Sequence, residues 1–171
     1  WLGHERVAVL DGGLAGWKRA KRELTDALPV VAPRKFNPQP QDMTVDAGQL
    51  LTGLPAQRPL ILDARSPERF RGENETLDPV GGHIPGAMNR FYFDNLDDAG
   101  CFFKPAAELR AEFDAMLGGR AAGEVVQQCG SGVTACHNLL AMELVGLSGS
   151  KLYPGSWSEW CADPSRPVAT G

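Results

Sequence analysis

The sequence predicts an α/β fold: a parallel sheet flanked by helices on both faces. Three observations predict it. Short β-prone runs alternate with helical segments along most of the chain. The connections between those runs are long enough to cross over between parallel neighbours. The run Pro59-Leu60-Ile61-Leu62-Asp63 is apolar throughout and ends in a carboxylate, as a strand buried on both faces would. In such sheets sites form beyond the carboxyl ends of the strands, where Asp63 and Cys129 both fall.

Taken in order, Val7-Ala8-Val9-Leu10 reads as a short strand, Asp11-Gly12-Gly13 as a turn and Leu14 to Arg22 as a helix. Pro29, Pro33, Pro38 and Pro40 among polar residues mark an extended linker over 29–42. The main body starts near Met43. Asp46 caps a helix running to Leu54, and the Pro59–Asp63 strand follows. Ser66-Pro67-Glu68 opens another helix, with Ser as cap and Pro in the first turn. An acidic loop over 72–82 leads to a short strand at Ala87-Met88-Asn89, then to a helix over Pro105–Leu117 with helical periodicity in Leu109, Phe113, Met116 and Leu117. Glu124–Gln128 is a strand, Cys129–Thr134 a Gly-containing loop and Ala135–Val145 a helix. Lys151–Tyr153 is the last strand. A turn at Pro154-Gly155 and a helical turn over Ser156–Cys161 close the pattern.

The 171 residues suffice for one full core and fall short of two ordinary domains. A net charge of −4 favours neither nucleic acid nor an anionic membrane surface as partner. No apolar run reaches the roughly 18 residues a membrane span needs. Four cysteines without a framework spacing read as free thiols in a reducing, cytoplasmic setting. Cys129, Cys136, His137 and Cys161 match no zinc-ligand spacing, so no metal is expected.

A weak internal repeat is also visible. Leu10-Asp11-Gly12-Gly13-Leu14-Ala15-Gly16-Trp17 is similar to Tyr153-Pro154-Gly155-Ser156-Trp157-Ser158-Glu159-Trp160: strand, turn with Gly, then Trp. A period of about 140 residues implies two copies of one domain, with the tail of the first copy at residues 1–28 and an amino-terminal portion missing. The competing reading is chance resemblance of two short segments.

The chemistry concentrates at the end of the strand Val125-Val126-Gln127-Gln128, in Cys129-Gly130-Ser131-Gly132-Val133-Thr134. The strand delivers Cys129 to the sheet edge. The glycines let the backbone turn its amides inward, and the following helix adds its own unpaired amides and dipole. A thiolate there is stabilised and ready to attack, and the cradle suits an anion or a terminal persulfide sulfur. Ser131 and Thr134 offer further hydrogen bonds. Taken alone, a cysteine is more often a buried structural residue; the loop context moves the reading to a nucleophile. A cysteine phosphatase would need an arginine six positions after the nucleophile to fork onto phosphate, where this chain has Ala135.

The loop Cys129-Gly130-Ser131-Gly132-Val133-Thr134-Ala135 resembles the active-site loop of the rhodanese family, in its mercaptopyruvate sulfurtransferase form. The resemblance extends over residues 43–171 through Leu62-Asp63-Ala64-Arg65, Arg69-Phe70-Arg71-Gly72, Gly82-His83-Ile84-Pro85-Gly86-Ala87 and Gly155-Ser156-Trp157-Ser158-Glu159-Trp160. It implies a carboxy-terminal catalytic domain at 43–171, a linker at 29–42 and, as partner, an amino-terminal rhodanese domain of the same chain. It implies that Cys129 takes sulfane sulfur from a small anionic donor, 3-mercaptopyruvate or thiosulfate, and holds it as a persulfide. A thiol such as thioredoxin or glutathione, or cyanide, then removes it, without metal or organic cofactor. Arg69 matches the family's substrate-binding arginine, and Gly130, Ser131, Gly132, Val133 and Thr134 complete the donor cradle. Gly130 and Ser131 stand where thiosulfate-preferring members carry basic residues, which favours mercaptopyruvate. Against that, the stretch Glu73–Pro79 lacks the second arginine of many mercaptopyruvate enzymes. A sulfur-carrying or non-catalytic binding module and a phosphatase remain the rival readings.

Asp63 and Arg71 are expected to support the site, Asp63 by orienting a neighbour such as Arg65. Arg71 ranks below Arg69, because residues two apart on a helix face different ways. His83 reads as a structural histidine bonded to nearby backbone, and Cys136 as packed. Trp157 and Trp160 are expected near the loop or the cleft.

Overall fold

Strands at Leu60–Asp63 (β1), Met88–Asn89 (β2), Val125–Gln128 (β3) and Lys151–Leu152 (β4) form the sheet that carries the rest of the molecule. The computed structural model describes residues 1–171. The strands lie in the order β2-β1-β3-β4, and every pair is parallel. Asp63 lies opposite Gln128, so the two central strands end level with each other. Thr44 adds a single parallel bridge to Leu152 on the outer side of β4.

Alternation along the strands decides which helix covers which face. Ile61 and Val126 turn to one side. There they pack with Ala47 and Leu50 of α2 (Ala47–Gly53), with Tyr153, and with Trp157, Trp160 and Cys161 of α6 (Ser156–Ala162). Leu60, Leu62 and Val125 turn to the other side. They meet Leu109, Phe113 and Leu117 of α4 (Ala106–Leu117) and Ala141 and Met142 of α5 (Ala135–Leu144). Each of these large side chains contributes about 1.5–3 kcal/mol by leaving water, and helices cover both faces as expected.

Local signals place the ends. Asp46 and Gln49 close a capping box over α2: Asp46 Oδ1 accepts the Gln49 amide at 2.8 Å and Gln49 Oε1 accepts the Asp46 amide at 2.9 Å. Pro67 opens α3 (Pro67–Arg71), but the Ser66 side chain makes no cap bond, so the predicted hydroxyl cap does not form. Three 3₁₀ turns, Leu54–Ala56, Tyr92–Asn95 and Ala122–Glu124, went unpredicted; such turns leave little periodic signal.

Residues 1–42 hold one regular element, α1 (Gly13–Arg19), which ends three residues before the predicted Arg22. The predicted strand at Val7–Leu10 does not form. That segment pairs with nothing, and its three large side chains are mostly exposed. A strand is stable only beside a partner, and none is offered here. Residues 29–42 have no regular structure beyond a bend, apart from amides of Gln39 and Gln41 that donate to the carbonyls of Leu2 and Trp1 at 2.9 and 2.8 Å. No helix is long and apolar enough to cross a membrane.

Candidate active site

The two central strands end side by side, and the chain leaving each of them builds one wall of a cavity of about 440 Å³. From β1 come Ala64, Arg65, Ser66 and, through α3, Arg69. From β3 come Cys129, Gly130, Ser131, Val133 and Thr134. Tyr92 and Phe91 close one side and Leu77 and Asp78 of the acidic loop another. Cys129 is only 2% exposed and packs with Ala64 and Ala135, yet it lines this cavity. It is therefore buried at the floor of a pocket rather than inside the apolar core.

The loop after Cys129 is held from below by the first turn of α6. The Cys129 amide donates to Ser156 Oγ at 3.1 Å, and that hydroxyl donates to the Tyr153 carbonyl at 2.9 Å. The amides of Trp157 and Ser158 donate to the carbonyls of Cys129 and Gly130, each at 3.0 Å. Gly132 has φ +82°, and a β-carbon on it would stand 2.7 Å from the Pro154 carbonyl oxygen, so only glycine fits. With the carbonyls turned toward α6, the amides of Gly130, Ser131, Gly132, Val133 and Thr134 donate to no acceptor in the chain. Ser131 and Val133 are exposed, Gly130 and Thr134 half-buried and Gly132 buried. Five consecutive donors without a protein acceptor thus stand at the amino end of α5, beside a thiol, where an anion could take them. Four of those residues line the cavity; Gly132 shapes the turn instead.

Arg69 reaches the cavity from α3. Its Nε and Nη2 donate to the Glu75 carboxylate at 3.0 and 2.9 Å, and Nη2 also donates to Asp78 at 3.0 Å. Its Nη1 lies 3.5 Å from where a β-carbon on Gly130 would stand, which leaves that nitrogen at the loop. Asp63 is fully buried and grips Arg65, whose Nη2 donates to Asp63 at 2.6 Å and to the Gly82 carbonyl at 2.6 Å. The Arg65 guanidinium lies over the Trp157 ring, 4.6 Å from its centroid. Asp63 therefore orients a neighbour, as expected, and that neighbour is itself part of the cavity wall.

Arg71 is a correction. It is not brought into the site: it pairs with Glu73 on the exposed side of α3, because two residues turn the side chain roughly 200° around a helix. Trp157 and Trp160 sit in the core beside the loop and line no part of the cavity. His83 is structural, its Nδ1 2.8 Å from the Phe70 carbonyl and its ring stacked on Phe70 at 3.8 Å. The Cys136 thiol donates to the Gly132 carbonyl at 3.3 Å, and burial, then the nearby Cys129, push its pKa up. The raised pKa does not suit attack, but Cys136 is exposed, where the sequence predicts a packed residue.

Sequence reasoning missed Arg65 and Asp78 as parts of this wall, Glu75 as the carboxylate behind it that holds Arg69, and Ser156 as the anchor of the Cys129 amide. The acidic run 73–78 next to two arginines was the available signal for the clamp on Arg69. Ser156 falls within the Gly155–Trp160 motif, but the motif gives it no role, because that role exists only where two distant segments meet.

The chain matches the family model described as the rhodanese-like domain over residues 46–163. It is 50% identical to a Pseudomonas aeruginosa protein provisionally named 3-mercaptopyruvate sulfurtransferase, across 100% of this chain and 61% of that protein. It is 41% identical to a Mycobacterium tuberculosis protein provisionally named thiosulfate sulfurtransferase SseB, across 99% of this chain and 59% of that protein. Among solved structures, the Tum1 protein of Saccharomyces cerevisiae superposes with a TM-score of 0.77 at 28% identity, covering 99% of this chain and 62% of that one. The chain thus spans about three fifths of the length of these relatives.

Proposed function

The chain belongs to the rhodanese family, and from that premise we propose that it is the catalytic part of a sulfurtransferase working through a persulfide on Cys129. The observation that carries the proposal is the meeting of one cavity-lining thiol with five consecutive unpartnered amides. Those amides stabilise negative charge on sulfur before and after transfer, at no reorganisation cost.

The reaction is a double displacement. The Cys129 thiolate attacks the donor's sulfur. With 3-mercaptopyruvate the carbon–sulfur bond breaks, its electron pair passes to the carbon, the thiol proton ends on that carbon, and pyruvate leaves. With thiosulfate the sulfur–sulfur bond breaks and sulfite leaves. Either way Cys129 carries an S–S⁻ group. A thiol such as glutathione or thioredoxin, or cyanide, then attacks the outer sulfur and returns Cys129 as thiolate. Arg69 Nη1 and the loop amides hold the donor's anionic end. Mercaptopyruvate is the favoured donor because Gly130 and Ser131 bring no added positive charge behind the thiol. The name of the Pseudomonas relative supports that choice, and that of the Mycobacterium relative keeps thiosulfate as the second.

In this reading residues 43–171 are the catalytic unit, 29–42 a linker and 1–28 the end of a sister domain that completes the cleft. Four unpaired thiols support a cytoplasmic setting.

The intact protein, incubated in turn with mercaptopyruvate, thiosulfate and an aryl phosphate, tests it by protein mass. One added sulfur on Cys129 is expected from a sulfur donor, with loss in Cys129→Ser. No added sulfur from either donor would point to a binding module. Phosphate release would point to a phosphatase, a reading that Ala135 already disfavours.

A further inference from the structure

Arg69 enters the cavity already engaged. Two of its three nitrogens are bound to Glu75 and Asp78, and a single nitrogen is left facing the loop. Glu75 also reaches the second cavity arginine: its Oε2 lies 3.6 Å from Arg65 Nη1. The Glu75 carboxylate is nearly buried, and it accepts the amides of Leu77 and Asp78 at 2.9 and 3.1 Å, so the acidic loop is wrapped around it. In and just behind the cavity wall, the two guanidinium groups of Arg65 and Arg69 therefore meet three carboxylates, those of Asp63, Glu75 and Asp78. The local charge is negative although the proposed donors are anions.

That balance distinguishes the two donors. Thiosulfate is a dianion whose charge spreads over three oxygens and a sulfur; it gains most from a bidentate fork and a net positive wall. Mercaptopyruvate carries one carboxylate and a neutral carbonyl, so one free arginine nitrogen and the loop amides can satisfy it. Resting on the sulfur-transfer reading, we propose that Glu75 and Asp78 are specificity-determining residues. By occupying Arg69 and leaving the wall together with the carboxylates behind it net negative, they select a monoanionic keto-acid donor against a dianionic one.

The donor half-reaction isolates this, because in a double displacement kcat/KM for the donor does not depend on the acceptor. The intact protein is assayed with both donors and cyanide, as wild type and as Asp78→Asn, which keeps the shape and an acceptor oxygen for Arg69. Removing one negative charge acts twice as strongly on a dianion as on a monoanion. The thiosulfate-to-mercaptopyruvate ratio of kcat/KM should rise about tenfold. Glu75→Gln, read the same way, should shift the ratio in the same direction. Wild type supplies a reading that needs no variant: raising sodium chloride from about 20 to about 200 mM should raise the ratio by screening the excess negative charge, and by less in Asp78→Asn. Equal changes for the two donors, or a shift toward mercaptopyruvate, overturns the proposal and leaves sulfur transfer standing. A wild-type protein that takes sulfur from neither donor overturns both.

Discussion

Two short segments of the chain are similar in sequence, and they meet different fates. Asp11-Gly12-Gly13 leads into α1 and Trp17; Pro154-Gly155-Ser156 leads into α6, Trp157 and Trp160. Both helices have seven residues, and both begin on a residue in the left-handed region, Gly13 at φ +53° and Ser156 at φ +51°. There the likeness stops. Trp17 is 38% exposed and bonds its indole N–H to Glu23 nearby in the chain, whereas Trp157 and Trp160 are fully buried. Before α6, Lys151 and Leu152 pair with Val126 and Gln127; before α1, Val7–Leu10 pairs with nothing. A turn and a helix follow from local residues, but a strand and a buried tryptophan require a neighbour.

The largest test of that contrast is the pair Trp157→Ala and Trp17→Ala. Trp157 packs in the core, carries Arg65 over its ring and donates to the Val80 carbonyl at 2.8 Å. Its removal should cost about 3–5 kcal/mol in denaturant unfolding and should disturb the cavity wall through Arg65. Trp17→Ala should stay within about 0.5 kcal/mol. Losses of similar size would mean that residues 1–28 are packed as firmly as the sheet, and the contrast would fail.

Legibility of the sequence follows the same division. The Asp46 cap rests on contacts within a few residues; the strand–helix alternation, the Gly132 turn and the position of Cys129 were readable from local residue types, although distant partners such as Pro154 and Ser156 fix the last two. Arg69 was found through family resemblance; its Glu75–Asp78 clamp lies six to nine residues further on, across a loop with no periodicity. The Val7–Leu10 strand was misread because β-propensity describes fit to a sheet and says nothing of whether a sheet is there. Arg71 was placed too near the site because its motif gave proximity in sequence without direction in space.

A sharper test compares Ser156 with Gly13, two residues in one backbone conformation. Gly13 has no side chain to strain and no atom near where a β-carbon would stand. Ser156 bears the strain, about 1 kcal/mol or more, and is fixed there by its hydroxyl, which links the Cys129 amide to the Tyr153 carbonyl. Ser156→Ala should keep the strain and lose both bonds, costing about 2 kcal/mol and about tenfold in kcat/KM for the donor. Ser156→Gly should recover part of the stability and none of the activity. Full activity in the glycine variant would show that the Cys129 loop does not need this anchor.

The smallest effect is expected at the seam where the two regions meet. Phe103 takes part in both: its amide donates to Asp11 Oδ1 at 3.1 Å, and its ring stacks on His137 of α5, 4.7 Å between centroids. Burial there holds His137 below its ordinary pKa of 6.5, so the folded chain keeps it neutral at a pH where the unfolded chain protonates it. Stability is then fully present above 6.5, declines as pH falls through that value, and stops declining below the lower folded pKa. Glu75 and Glu112 act in a separate window. Burial opposes their ionisation, but hydrogen bonds from amides and cations outweigh it and hold both below 4.5, so their contribution is lost only under that pH. A modest fall in melting temperature between about pH 7 and 5, absent in His137→Gln, is the expected signature. If Phe103→Ala, which uncovers the ring, leaves that slope unchanged, the stacking of Phe103 on α5 is not what buries the imidazole, and the seam is held by other contacts, the Asp11 bond and the packing of Phe102 on Gly12 and Gly16 among them.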